Sequence, residues 1–154
     1  MNMKIRKAGQ SDAAALVDLT IRLKRLNAEF DPMLKVDKNA ESYAKQHIAK
    51  SLKDCVILVA EDAGKTVGFI RSEIRDRGFY SPRKEGLITD FYVMPDHRRK
   101  AIGEKMVEEC TKQLMKLGAE IITAKFPSQN KFAVNFYEKL GFRSIKSIYA
   151  KMPK

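Results

Sequence analysis

Three consecutive cations, Arg98, Arg99 and Lys100, stand at the foot of a run whose apolar spacing is that of a helix. The stretch Val93-Met94-Pro95-Asp96-His97-Arg98-Arg99-Lys100-Ala101-Ile102-Gly103-Glu104 ends an apolar run that starts at Gly86, turns at Pro95 and then enters that helix. A helix N-terminus carries N–H groups with no intrahelical acceptor, and its dipole favours negative charge. With cationic side chains beside it, such a terminus suits a pyrophosphate. The stretch fits neither G-x-x-x-x-G-K-[ST] nor G-x-G-x-x-G, which disfavours nucleoside triphosphate hydrolysis and dinucleotide redox chemistry.

Other reactive residue types are sparse. His47 lies on a helix flank and His97 in the basic turn; a lone histidine there reads first as structural or solvent-facing. Cys55 sits in a strand-like run and Cys110 on a helix stripe. Both read as small core residues, and neither a disulfide framework nor metal spacing can be built from them.

The elements that must position the cradle follow from periodicity. Met3 to Ala8 alternates as a strand. Ser11 or Asp12 caps a helix with the stripe Leu16, Leu19, Leu23, Leu26 and Phe30, which Asp31-Pro32 stops. A weaker helix is expected from Asn39 to Leu52, with Ala40, Tyr43, Ala44, His47, Ile48 and Leu52 inward. Cys55 to Ala60 reads as a strand covered on both faces, Asp62-Ala63-Gly64-Lys65 as a hairpin turn and Thr66 to Arg75 as the returning strand. Asp76 to Lys84 is a loop and Glu85 to Val93 a strand. The next helix carries Ile102, Met106, Cys110, Leu114 and Leu117 and closes at Gly118. Ala119 to Phe126 is a strand, Lys131 to Leu140 a helix closed by Gly141, and Phe142 to Met152 a last strand or two short ones. Hairpins followed by a βαβ crossover predict an α/β (α+β) fold: a mixed, mostly antiparallel sheet with helices on both faces.

At 154 residues the chain has the size of one domain, 1–154, and 44% apolar content fits a soluble globular protein. No window has the apolar length of a membrane span, and the start has no signal-peptide core, so no membrane association and a reducing, cytoplasmic location are expected. The net charge of +11 points to an anionic partner. Nucleic acid and a phosphorylated cofactor are both candidates, and because the cations are interspersed with acids a solvated surface is favoured over a nucleic-acid face.

In residues and chain order, Val93-Met94-Pro95 followed by Arg98 to Gly103 resembles motif A of the GNAT family of acyl-CoA-dependent N-acetyltransferases. Asn130-x-x-Ala133-x-x-Phe136-Tyr137-Glu138-Lys139-Leu140-Gly141-Phe142 resembles its motif B. The resemblance implies the GNAT fold and acetyl-CoA as cosubstrate. Main-chain N–H groups of Arg98, Arg99, Lys100, Ala101, Ile102, Gly103 and Glu104 would hold the coenzyme A pyrophosphate. Phe91, Tyr92 and Val93 would pair with the pantetheine arm, and Asn130 would bond it. Tyr137 takes the place of a phenol near the thioester sulfur, a general acid for the leaving thiolate. On its own terms Tyr137 also reads as a core aromatic and Asn130 as a helix cap.

Ala101 departs from the pattern, standing where glycine is usual; a helical φ, and hence tolerance, is expected. Lys125 stands where the N-terminal-acetylase branch often has a glutamate. Transfer to a primary amine needs a base, and the candidates are Glu85, Asp90 and Glu73. Glu85 ranks first because alternation places it with Leu87, Thr89 and Phe91. Glu29 and Asp31 are candidates for lining the acceptor side. The acceptor, a small molecule or a peptide, is not specified, and a homodimer is left open. The alternative to an enzyme is a module of the same fold that binds coenzyme A or an anionic polymer without turnover.

Overall fold

A computed structural model of the protein describes residues 3–98 and 101–154. Strand β1 (Met3–Lys7) leads through a 3-10 turn at Gln10–Asp12 into α1 (Ala13–Phe30), and α2 (Ala40–Asp54) follows. Three strands come next: β2 (Val56–Asp62), β3 (Lys65–Asp76) and β4 (Lys84–Val93). The chain continues through α3 (Ile102–Lys116), β5 (Ile121–Ala124) and α4 (Lys131–Lys139). The sheet order is β1-β2-β3-β4-β5. The first four strands are antiparallel neighbours, while β4 and β5, joined through α3, are parallel. This is the mixed, mostly antiparallel sheet expected from the pattern, with helices on both faces.

Each face has its own core. Leu16, Leu19 and Leu23 of α1 and Ile48 of α2 pack on Ile57, Val59, Phe69 and Tyr92. On the other face Ile102, Met106, Cys110 and Leu114 of α3 and Tyr137 of α4 pack on Leu58, Ile70, Ile88 and Val93. Helix α3 lies close to β4 because position 86 has no side chain: a Cβ there would come within 2.8 Å of Leu114 Cδ1. Asp12 does not cap α1 with its side chain. It accepts from Gly9 N and is held bidentate by Arg6, both contacts at 2.8 Å, and so ties the start of α1 to β1. Among the described residues no helix is long and apolar enough to cross a membrane.

Three expectations fail here, one of them Leu117, placed on the inward stripe of α3 but 51% exposed because the helix ends before it and it serves as the C-cap. The strand expected from Phe142 to Met152 does not form: residues 142–154 contain no strand, helix or turn. A strand has no hydrogen bonds of its own, so an alternating pattern becomes one only where an open edge meets it. Tyr43, expected inward, is 68% exposed, because α2 presents only Ala44, Ile48 and Ser51 as buried positions.

Candidate active site

The sheet parts at one place. Strand β4 pairs with β5 only from Glu85 to Ile88, against Ile121 to Ala124. Lys125 N then donates to Ile88 O at 3.1 Å, the last such bond. Pro127, which has no N–H to continue a ladder, turns the chain away toward α4. Among the described residues no strand pairs with that side of Thr89 to Val93. The result is a wedge between the end of β4 and α4, with the N-terminus of α3 at its mouth.

A bulge marks where the wedge begins. Arg71 of β3 is opposite Asp90 and Ser72 is opposite Ile88, so Thr89 is an extra residue in β4. An extra residue reverses which face each later side chain occupies. This overturns the alternation drawn for Glu85. Across the bulge Glu85 shares its face with Leu87, Asp90 and Tyr92, while Phe91 turns to the α3 side beside Phe136. Glu85 accepts a hydrogen bond from Thr123 Oγ1 at the closed end of the wedge.

At the mouth, Ala101 is the N-cap of α3 with φ 58° and ψ 13°, a left-handed conformation rather than the helical one expected. Ile102 is buried, and Glu104 is exposed in the first turn. Gly103 faces Phe91 and Phe136, where a Cβ would come within 3.3 and 3.4 Å of their rings. That glycine therefore allows close packing of aromatic rings under the helix terminus. The Arg98 side chain folds back: its Nε donates to Val93 O at 2.7 Å and its guanidinium lies over the Tyr92 ring. Arg99 and Lys100 lie outside the described residues. His97 Nε2 contacts Asp62 Oδ2 at 3.1 Å, tying the turn to the end of β2.

The opposite wall is α4. Asn130 caps it, its side chain accepting from Ala133 N at 3.1 Å. Tyr137 is 6% exposed, stacked on Phe126 and edge-on to Phe136 and Phe142. Burial pushes its phenol well above the ordinary value, so the proton stays on oxygen.

On the α1/α2 face, beside the bulge, stands a charged group that pattern reading did not assemble. Lys24 Nζ contacts Asp90 Oδ1 at 2.7 Å. Buried Arg71 donates to Ser51 Oγ, Thr89 Oγ1 and Cys55 Sγ and pairs with Glu73, which also holds Arg75. Burial raises the Glu73 carboxyl, but the two arginines pull it down further, leaving it below the usual carboxylate range. Burial and then Arg71 lower the His47 imidazole, leaving it uncharged at neutral pH. Lys24, Arg71 and Thr89 had no motif to reveal them; the odd parity of the apolar positions of β4, Gly86 and Ile88 against Phe91 and Val93, was the available signal. Asp31, a candidate for the acceptor side, accepts from Met33 N and caps a 3-10 turn. A groove of about 540 Å³ between α1 and the start of α2 contains none of these residues.

Comparison with known proteins fits this layout. The chain is 29% identical over 137 residues to an N-alpha-acetyltransferase of Sulfurisphaera tokodaii, covering 82% of this chain and 81% of that one. It is 25% identical over 152 residues to an L-amino acid N-acyltransferase of Escherichia coli, covering 99% and 84%. A Clostridium acetobutylicum protein described as a predicted acetyltransferase, solved with acetyl-CoA, superposes with a TM-score of 0.80 at 18% identity over 97% of this chain and 96% of that one. The model of the acetyltransferase (GNAT) family matches residues 22–142, from α1 through the wedge to the end of motif B. The parted strands, the helix terminus at their mouth and this match together place the chain in the GNAT acetyltransferase family, whose cosubstrate is acetyl-CoA.

Proposed function

We propose that this chain transfers an acetyl group from acetyl-CoA directly to a primary amine, with no covalent enzyme intermediate. The observation that supports it most is the parting of β4 from β5 after Ile88, which leaves Thr89 to Val93 as an open edge for an extended arm. Phe91, Tyr92 and Val93 line that edge. The α3 terminus from Ala101 to Glu104, with Arg98, Arg99 and Lys100 before it, receives the pyrophosphate. Arg98 already holds Val93 O, so its side chain orders the edge while its main chain serves the anion. Asn130 spends its side-chain oxygen on the α4 cap, which leaves its amide nitrogen for the arm.

Acetyl-CoA supplies the activated acyl group as a thioester. The amine nitrogen bonds to the carbonyl carbon, the carbon–sulfur bond breaks, and Tyr137 hydrogen-bonds the sulfur as charge develops. Burial disfavours the phenolate that full proton transfer would leave, so that hydrogen bond is the larger part of the contribution of Tyr137. The acceptor must lose a proton to attack. Asp90, in the bulge where the wedge opens, is better placed to take it than Glu85, which is bonded to Thr123 at the closed end. The pairing of Asp90 with the Lys24 ammonium at 2.7 Å supports a cationic amine being drawn to the same carboxylate. The two relatives act on different molecules by name, an N-alpha group and an L-amino acid, and both offer an amine to the acyl group.

The test is calorimetric titration of acetyl-CoA, followed by thiol release over a panel of amines, amino acids and peptides. Asp90→Asn is expected to lower kcat/KM roughly 100-fold, with Glu85→Gln within about threefold of the parent. No binding at millimolar acetyl-CoA would end the enzyme reading. The reverse order of the two variants would return the base to Glu85.

A further inference from the structure

The hairpin between β3 and β4 lies at the far end of β4 from the cradle, about 30 Å away along ten residues of strand. It overshoots the sheet. The pairing of β3 with β2 stops at Ser72, opposite Val56, whereas β3 and β4 stay paired as far as Asp76 and Lys84. The loop that closes it, residues 77–83, is held by its own hydrogen bonds. Arg77 N donates to Arg83 O at 2.8 Å, Gly78 N to Asp76 Oδ1 at 2.7 Å and Arg77 Nη1 to Pro82 O at 2.9 Å. Arg83 donates to both carboxylate oxygens of Asp76, at 2.8 and 3.0 Å. This framework carries two aromatic rings into solvent: Phe79 is 100% exposed and Tyr80 64%. Neighbouring rings placed in this way bury nothing, so the core gains nothing from them.

Cations flank the rings on both strands. The stretch reads Arg75-Asp76-Arg77-Gly78-Phe79-Tyr80-Ser81-Pro82-Arg83-Lys84, four cations to one acid. The carboxylates of the hairpin are already engaged: Asp76 with Arg83 and Gly78, Glu73 with Arg71 and Arg75, Glu85 with Thr123. Among the described residues Arg77 and Lys84 pair with no carboxylate. The Arg77 guanidinium lies over one face of the Tyr80 ring, 5.3 Å from its centre, and most of the rest of that ring is in water. Lys84 reaches over Gly118, just past the last turn of α3, which adds Lys116.

A flat apolar face beside an uncompensated cation is the complement of a nucleotide. Each base of an unpaired strand offers a π-face for stacking, and each phosphate one negative charge. An acidic peptide would match the cations but leave both rings in water. A bilayer would take the rings but would draw Arg77 and Arg83, at the neck of the same loop, toward its apolar layer. We propose that the β3–β4 hairpin binds single-stranded nucleic acid. Bases stack on Phe79 and Tyr80, and phosphates are held by Arg77, Lys84 and the Nη1 of Arg83, which the bonds to Asp76 leave free. A duplex shows base edges rather than faces and fits less well. This proposal does not depend on the acyl-transfer reading, since the hairpin and the cradle stand at opposite ends of β4.

The test is fluorescence anisotropy of labelled oligouridylate RNA and oligothymidylate DNA, titrated with the full chain over a range of potassium chloride. At least one strand should bind with a dissociation constant of roughly 1–100 μM at about 50 mM salt; the two arms show whether the sugar is read. Three phosphate contacts on a single strand predict a slope of about −2 in log K against log salt. The double variant Phe79→Ala/Tyr80→Ala changes no charge, so it should weaken binding at least about tenfold and leave the slope alone. Arg77→Gln/Lys84→Gln should instead flatten the slope by about 1.4. None of the four side chains packs in either core, so circular dichroism should match the parent. No binding of either strand at about 100 μM protein, an aromatic variant that binds as tightly as the parent, or a duplex bound as tightly as the single strand would each overturn the proposal. Retention on phosphatidylserine vesicles in place of the strands would overturn it in favour of a membrane surface.

Discussion

Replacing Ala101 by glycine tests the conformation of the cradle by the sign of a stability change. With φ at 58°, Ala101 carries the left-handed cost of an L-residue, about 1–2 kcal/mol. Glycine removes that cost but loses about 0.5–1 kcal/mol more conformational entropy on folding. The residue is exposed, so no packing is lost. The net expectation for Ala101→Gly is stabilisation by about 0.5–1 kcal/mol, a rise in Tm of about 1–4 °C for a chain this size. Had the site been helical, the same change would cost about 1 kcal/mol and lower Tm by about 2–4 °C. Differential scanning calorimetry at neutral pH, with urea melts to give the free energy, separates the two. The cradle is already set in the free protein, so the acetyl-CoA dissociation constant should stay within about threefold. A lower or unchanged Tm would refute the reasoning, because it would mean that position 101 does not hold the left-handed conformation.

Three further outcomes follow from named contacts. Tyr137→Phe keeps the ring stack on Phe126 and removes only the hydroxyl, so turnover should fall roughly 10- to 100-fold while acetyl-CoA affinity stays within about twofold by calorimetry; equal rates would leave Tyr137 a core aromatic. Asp12→Asn breaks the bidentate pair with Arg6 and should cost about 1–3 kcal/mol in urea melts at pH 7, the lower part of that range reflecting the partial exposure of Arg6. Arg6, and after it Gly9 N, hold the Asp12 carboxyl below its ordinary value against the opposing effect of burial. The stability it adds is therefore present above about pH 4, its unfolded range, and is lost as pH falls through the folded value; the difference between parent and variant should shrink toward pH 2. Gly86→Ala puts a methyl group within 2.8 Å of Leu114 Cδ1 and 3.0 Å of its Cβ, so α3 must shift and stability should drop by about 1–3 kcal/mol.

The order of strands and helices up to α4, the inward stripe of α1 and that of α3 as far as Leu114 were legible in the residues alone. These are local properties: a three-four apolar spacing or an alternating run reports a face without reference to the partner it covers. Motif B was equally legible, because Asn130 and Tyr137 lie on one short helix at fixed spacing. The charged group beside the bulge was not. Lys24, His47, Arg71, Glu73 and Asp90 come from α1, α2, β3 and β4, and only pairing brings them together. The bulge at Thr89 then decided which carboxylate faces them, since one extra residue moves Asp90 onto the face of Glu85 and sends Phe91 to the other. The sign of φ at Ala101 was also beyond the pattern, because alanine alone argues for helix and the turn from β4 into α3 overrides it.

By itself the sequence determined which segments up to Gly141 are strand-like or helical. The tertiary structure decided that β4 and β5 part after Ile88, that the bulge turns Asp90 toward Lys24, and that the apolar alternation after Phe142 forms no strand. The reason is the same in each case: a helix satisfies its backbone within one segment, whereas a strand, a cleft between strands and a charge cluster exist only through residues distant in sequence.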